Sequence, residues 1–159
     1  MAEQLDMVRA RRVYNTVIAA LDEMEWTYDR DDENLTISTG VKSNDIDIKF
    51  TLKVRAQQDV LQFKSKLPFN MAEDKRVDGA IVVGVANYGM INGSFDYDIS
   101  DGEIAWRLTT SYRASDISTE MVKYIINVSV SSIDDYNDKF FAVSKGYMTV
   151  ESFIEGEKS

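Results

Sequence analysis

Across residues 95–108, apolar side chains occupy alternate positions on both sides of Asp101-Gly102: Phe95 and Tyr97 before the pair, Ile104, Trp106 and Leu108 after it. A period of two sends one face of each run into a core and the other into water. An Asp-Gly pair between two such runs is the sequence of a tight turn with positive φ. The segment reads as a β-hairpin and not as a catalytic loop. It constrains topology above all, because strands joined by a tight turn are antiparallel and leave no room for a helical crossover.

The same pattern recurs upstream. Over residues 45–54, Ile46, Ile48, Phe50, Leu52 and Val54 alternate with Asp45, Asp47, Lys49, Thr51 and Lys53, so one face is core and the other wet. Leu61 and Phe63 resume the alternation after residues 55–59, which predicts an antiparallel strand ending before Pro68, the only proline. Earlier, Thr27-Tyr28 and residues 35–38 favour extended structure, and the acidic cluster 29–34 between them reads as a turn. A short hairpin or strand entry is expected there.

Helical periodicity governs the rest. Leu5, Val8, Val13, Val17, Leu21 and Met24 recur at spacings of three to five, an amphipathic helix ending near Trp26. Asn70 followed by Glu73 predicts the N-terminus of a second helix that runs to about Tyr88. Its centre, residues 80–86, is apolar almost all round. Gly84 costs such a helix roughly 1 kcal/mol relative to alanine, which points to another backbone packed closely against that face. Ser118 is the expected N-cap of a third helix, with Ile117 and Val122 at the spacing of a hydrophobic staple. Met121, Ile125, Val128, Ile133, Tyr136 and Phe140 carry its stripe, and Gly146 ends it. A short final helix over residues 149–157 precedes a polar tail.

The expected order is therefore α-β-β-β-α-β-β-α, an α+β fold with an antiparallel sheet of about five strands and helices packed on it. With 159 residues, 44% of them hydrophobic, the chain reads as one domain, residues 1–159, with its core over about 5–145 and a C-terminal helix and tail over 149–159.

Missing residue types narrow the chemistry. The chain has no cysteine and no histidine, which removes disulfides, thiolate nucleophiles, imidazole bases and the common zinc sites. Asp96, Asp98, Ser100 and Glu103 invite comparison with a calcium loop, but Asp101 stands where the loop needs glycine and Arg107 where it needs a bidentate glutamate. The count from Asp29 fails in the same way at Asn34 and Gly40. A pair of carboxylates suited to glycoside hydrolysis has no positioning either: Asp45 and Asp47 share the wet face of their strand, without the burial that raises an acid's pKa. Residues 89–93 lack P-loop spacing and precede a strand. No catalytic, cofactor-binding or metal-ligating residue is assigned, and no cofactor is expected.

Charge limits the partners. Against 18 bases stand 27 acids, a formal net charge of -9, which repels phosphate backbones and anionic membranes. Phe95, Tyr97, Trp106 and Tyr112 then read as core or interface, not as a platform for bases. Arg9, Arg11 and Arg12 read as a solvated helix face. The start lacks a basic region followed by an apolar core, and no apolar run approaches the roughly 18 residues of a membrane span. The expectation is a cytoplasmic protein with neither nucleic-acid nor membrane partner.

Asn87-Tyr88 closing an apolar helix, residues 93–98, residues 101–104 and the strand through Arg107 together resemble the YbjN family of bacterial proteins. The third helix, opening at residues 117–120 and passing Val128, Ser132 and Tyr136, is similar to that family's closing helix. The resemblance spans roughly residues 13–141. It implies a fold similar to type III secretion chaperones, a sandwich that commonly dimerises, and it brings no catalytic motif. Some relatives are labelled sensory transduction regulators, yet a phosphoacceptor receiver domain needs alternating βαβ units where this chain has hairpins. Two functional readings follow. One is a non-enzymatic, chaperone-like or regulatory module, a homodimer holding a partner polypeptide. The other is a small-ligand sensor or cryptic carboxylate-based hydrolase, with a pocket between the second helix and the sheet lined by aromatic residues and carboxylates. The expected interface is Gly84 with the outer face of the second helix, or the hairpin of residues 95–112.

Overall fold

Alternating β-branched and aromatic residues draw six segments into one antiparallel sheet in the computed structural model, which describes residues 1–158. The elements are α1 (Ala2–Glu23), β1 (Asp29–Asp31), β2 (Thr36–Lys42), β3 (Asp47–Arg55), β4 (Val60–Asn70), α2 (Arg76–Tyr88), β5 (Ser94–Asp98), β6 (Glu103–Ser111), α3 (Thr119–Ser144) and α4 (Val150–Glu157). The strands lie in the order β1-β2-β3-β4-β6-β5. β6 therefore inserts beside β4, opposing Phe63 to Leu108 and Lys64 to Arg107, and leaves β5 at the rim.

All four helices lie on one face. Ile48, Phe50, Leu52 and Val54 turn toward them and are buried, while Asp47, Lys49, Lys53 and Arg55 on the same strand are exposed. Phe95, Trp106 and Phe140 form edge-to-face contacts at 5.0 Å, and Phe153 of α4 stacks on Phe140 at 5.9 Å, so α4 belongs to the same apolar cluster. Both ends of α3 are chemically closed where the sequence says they should be. Ser118 Oγ accepts from Met121 N–H at 3.1 Å, and Ile117 and Val122 are both buried beneath it. Gly146, at φ 75°, ends α3 in a Schellman motif, with Tyr147 N–H donating to Ala142 O at 2.8 Å and Gly146 N–H to Val143 O at 3.1 Å.

Several expectations are corrected. The sheet has six strands where about five were expected, because β1 falls inside the acidic cluster read as a turn; its three residues form an exposed rim and carry no apolar alternation. The turn is confined to residues 32–35, where Asp31 accepts from Asn34 N–H at 3.0 Å and from Asn34 Nδ2 at 2.8 Å. β4 does not stop before Pro68. Proline sits beyond the paired stretch with β3 and inside a register shift against β6 between Lys66 and Asn70, where no ladder donor is needed. Asn70 is consequently the last residue of β4 and not a helix cap; its Nδ2 donates to Asp101 O at 3.1 Å and ties the strand to the distal hairpin loop. A 3-10 turn, Glu73–Lys75, precedes α2, which begins without a side-chain cap.

Three smaller differences concern stripes and turns. Leu5 and Val8 are exposed, because α1 packs through Ala10, Val13, Tyr14, Val17, Ala20 and Leu21, and Met121 likewise faces solvent at the first turn of α3. α1 ends at Glu23, and Glu25 at φ 57° turns the chain away before Trp26. The 101-102 turn is a four-residue loop in which only Gly102 has positive φ, 79°, with its N–H donating to Asp98 O at 2.8 Å.

Candidate functional site

The resemblance-bearing residues prove to be structural fasteners around α2 and β5. Asn87, near the end of α2, acts as a one-residue substitute for a neighbouring strand. Its Nδ2 donates to Phe95 O and its Oδ1 accepts from Phe95 N–H, each at 2.8 Å, so at Phe95 the outer rim of β5 is satisfied by a side chain. Tyr97 Oη donates to Arg76 O at 2.6 Å and holds the start of α2 to the same strand. Gly79 makes this approach feasible: a Cβ there would lie 2.5 Å from Tyr97 Oη and 2.7 Å from Met71 Cγ. Gly93, at φ 83°, lies flat against the Trp106 ring.

Gly84 is not the point of close approach; nothing lies within 4 Å of where its Cβ would stand. It belongs to the outer face of α2, where Val77, Ala80, Ile81, Gly84 and Tyr88 recur at helical spacing and all face solvent. Tyr88 is 95% exposed and Ile91, in the following loop, fully so. From Gly79 to Tyr88 the helix carries no charge. An uncharged face of this kind is normally covered.

The space between α2 and the sheet, the expected place for a ligand pocket, is filled by Met71, Gly79 and Tyr97. The carboxylates of the hairpin serve local structure instead. Asp96 pairs with Arg107 at 2.9 Å, Asp98 accepts from Ser100 N–H and Oγ, and Asp101 accepts from Glu103 N–H. The Ser100 contacts hold the Asp98 carboxyl below the usual carboxylate range. Asp45 and Asp47 are exposed, as their alternation required. Among the described residues no group of three acidic side chains is gathered in the manner of a metal centre. Phe95, Trp106 and Tyr112 are buried and Tyr97 half-buried, so the hairpin's aromatic residues build the core and present no stacking surface.

The α1 arginines divide. Arg9 donates to the carbonyl oxygens of Tyr112 and Arg113, both at 2.8 Å, and lies 3.9 Å from Asp59. Arg12 pairs with Asp116 at 3.6 Å across solvent. Two phenols stand out electrostatically: Tyr14 is pushed up to about 12, by desolvation and then by its bond to Asp32, and Tyr136 also to about 12, by desolvation and its 2.5 Å bond to Glu157. Both clamp helices to their surroundings and neither faces a cavity.

Opposite the helices, the sheet is bare. On it lies a shallow groove of about 870 Å³ whose lining includes Lys49, Lys64 and Lys66 together with Asp29, Asp47 and Glu103. Lys66 Nζ lies 2.7 Å from Glu103 Oε2, and that contact raises the lysine's pKa. Lys49 and Lys53 stand at wet positions of the 45–54 run and are legible there; Lys64 and Lys66 are not singled out, and only the strand order shows which of these lysines adjoin.

This helix-backed antiparallel sheet has the fold of type III secretion chaperones. A chain of the HopA1–SchA chaperone–effector complex superposes with a TM-score of 0.54 at 12% identity, over 78% of this chain and 91% of that one. A chain of the ExsC–ExsE complex does so at 0.51 and 10%, over 80% and 89%. The crystal structure of YbjN from E. coli gives 0.54 and 12%, over 76% and 85%. The chain belongs to the YbjN family, described as "Putative bacterial sensory transduction regulator", whose model matches residues 14–142. No curated protein sequence matches it.

Proposed function

We propose that the chain is a non-enzymatic, chaperone-like module of the bacterial cytoplasm, a single domain that works as a homodimer and holds a partner polypeptide. The uncharged outer face of α2 carries this reading. At 13 residues the helix is about 20 Å long, and pairing it with a second copy covers Val77, Ile81 and Tyr88 together. Fold likeness to chains from a chaperone–effector complex supports the client-holding part. Met71 and Tyr97, packed against Gly79 in the helix–sheet interval, weigh against the alternative small-ligand or hydrolase reading, whose pocket was expected there.

Light scattering on purified protein is the test. The wild type is expected at twice the chain mass, and Ile81→Asp at the chain mass with an unchanged circular-dichroism spectrum, since residue 81 is already 43% exposed within one copy. A monomeric wild type, or a dimer indifferent to Ile81→Asp, refutes pairing through α2. Affinity capture at native expression tests the client: a stoichiometric polypeptide is expected, and its absence counts against the chaperone-like reading.

A further inference from the structure

We propose that the open face of the sheet is a cationic docking surface for an extended, acidic polypeptide segment, an inference that rests on the chaperone-like reading above. The distribution of charge is the starting point. In a chain with a net charge of -9, the outward positions of the central strands β3, β4 and β6 hold Lys49, Lys53, Arg55, Lys64, Lys66 and Arg107 against Asp47 and Glu103, while Asp29 and Asp31 of β1 and Asp96 and Asp98 of β5 lie at the two rims of the same face. Lys42 extends the patch along β2.

Most of this charge is left uncompensated. Lys66 pairs with Glu103 and Arg107 with Asp96, but Lys49, Lys53 and Lys64 have no ion-pair partner among the described residues. Lys64 also stands directly opposite Arg107 on the neighbouring strand. Like charges facing each other across a ladder destabilise a sheet, and with 27 acids in the chain a compensating residue was available. A local rule broken without a structural gain is a mark of a binding surface.

The geometry selects the occupant. Lys64 and Lys66 are two residues apart on one strand, a side-chain repeat of roughly 6.6 Å. Carboxylates at alternate positions of an extended peptide have the same repeat. Gly40 is fixed by the sheet itself, since a Cβ there would lie 2.9 Å from Ile48 O of β3, and beside it Ser38 of β2 and Thr51 of β3 offer hydroxyls to a bound backbone. Nucleic acid fits less well, because the outward strand positions carry no aromatic side chain and Tyr28, at the end of the groove, is held by its hydroxyl to Asp22. A small phosphorylated ligand finds no amide cradle, since the floor is paired strand whose N–H groups lie in the sheet plane.

Fluorescence anisotropy with a labelled twelve-residue peptide of alternating Glu and Thr tests the surface, with the Gln-Thr peptide and a twelve-nucleotide oligo-dT as competitors. The wild type is expected to bind the acidic peptide, lose it at about 0.5 M salt, and prefer it to both competitors. The triple variant Lys49→Gln/Lys53→Gln/Lys64→Gln should weaken binding about tenfold or more, given the modest contribution of each exposed pair. Its melting temperature should hold or rise, because no native ion pair is lost and the Lys64–Arg107 repulsion is relieved. The control Lys145→Gln/Lys158→Gln, away from this face, should bind as the wild type does. No binding up to millimolar peptide, equal binding by the triple variant, or preference for oligo-dT overturns the proposal. A native client that co-purifies equally with wild type and triple variant overturns it too, and leaves the chaperone-like reading standing.

Discussion

Removing the Asn87 carboxamide tests whether one side chain closes the rim of β5. Asn87→Ala deletes two hydrogen bonds of 2.8 Å to Phe95 and leaves that residue's N–H and C=O without protein partners. Each bond contributes about 1 kcal/mol net, so the loss should be about 2 kcal/mol. For a chain of this length that is a fall of about 4–8 °C in melting temperature. Urea unfolding should show a lower midpoint with the same slope, since the surface exposed on unfolding is unchanged. Asn87→Asp sharpens the test. Its carboxylate still accepts from Phe95 N–H but opposes Phe95 C=O with a second oxygen, whereas the protonated acid can donate again. The folded state therefore raises this acid's pKa. The stability deficit relative to wild type should be small at pH values below the ordinary carboxylate range and grow as pH rises through the folded-state value. A deficit under about 0.5 kcal/mol for Asn87→Ala, or one for Asn87→Asp that is flat between about pH 3.5 and 7, would mean that water satisfies the rim and that Asn87 is dispensable to it.

Two glycines of α2 should respond in opposite directions. Gly79→Ala drives a methyl into Tyr97 and Met71 and should cost about 1–3 kcal/mol, whereas Gly84→Ala meets open space and should add about 0.5–1 kcal/mol in dilute solution, both read by urea unfolding. Gly102→Ala combines φ 79° with a Cβ 2.5 Å from Met71 O and should lower stability by about 2 kcal/mol or more. In alkali, Tyr14 and Tyr136 hold their protons more tightly folded than unfolded. Their contribution is complete below pH 10 and lost as pH climbs toward 12, so Tyr14→Phe/Tyr136→Phe should flatten the alkaline fall in melting temperature and remove the last-appearing tyrosinate absorbance. In acid the sign reverses: the Tyr14 hydroxyl, and after it Arg30, hold Asp32 below the usual carboxylate range, so its contribution is present above that range and fades as pH falls. Tyr14→Phe should reduce that acid-sensitive part.

Where burial is decided by period alone, the chain reads directly. The alternation from Ile46 to Val54 and from Phe95 to Leu108 identifies β3, β5 and β6, and the Ser118 and Gly146 signals bracket α3, because caps and half-buried strands are local chemistry. β1 escaped because a rim strand with both faces wet has no period to show, and its acids look like a turn. Asn70 misled for a related reason. An asparagine before a helix caps it only if the chain turns there, and here β4 runs on to that residue under the pull of its pairing with β6. Gly84 and Gly79 cannot be told apart by sequence, since which face of an all-round apolar helix meets the sheet depends on where Tyr97 reaches. Lys49 and Lys53 of β3 were visible as wet positions, whereas the crowding of Lys64 against Arg107 depends on the strand order that puts β6 beside β4.

The two rims of the sheet are unequal. At β5 the Asn87 side chain occupies the backbone groups of Phe95, while at the other end β1 covers residues 36–38 of β2 and stops, so residues 40–42 have no further strand beside them among the described residues. Ribbon growth by strand addition, the route to amyloid, needs a receptive rim at each end of every unit. With β5 blocked at Phe95, strand addition is favoured at β2, and two copies that join there meet like to like and close on a two-fold axis. The carboxamide of one residue then hinders growth of the polymer at the opposite rim.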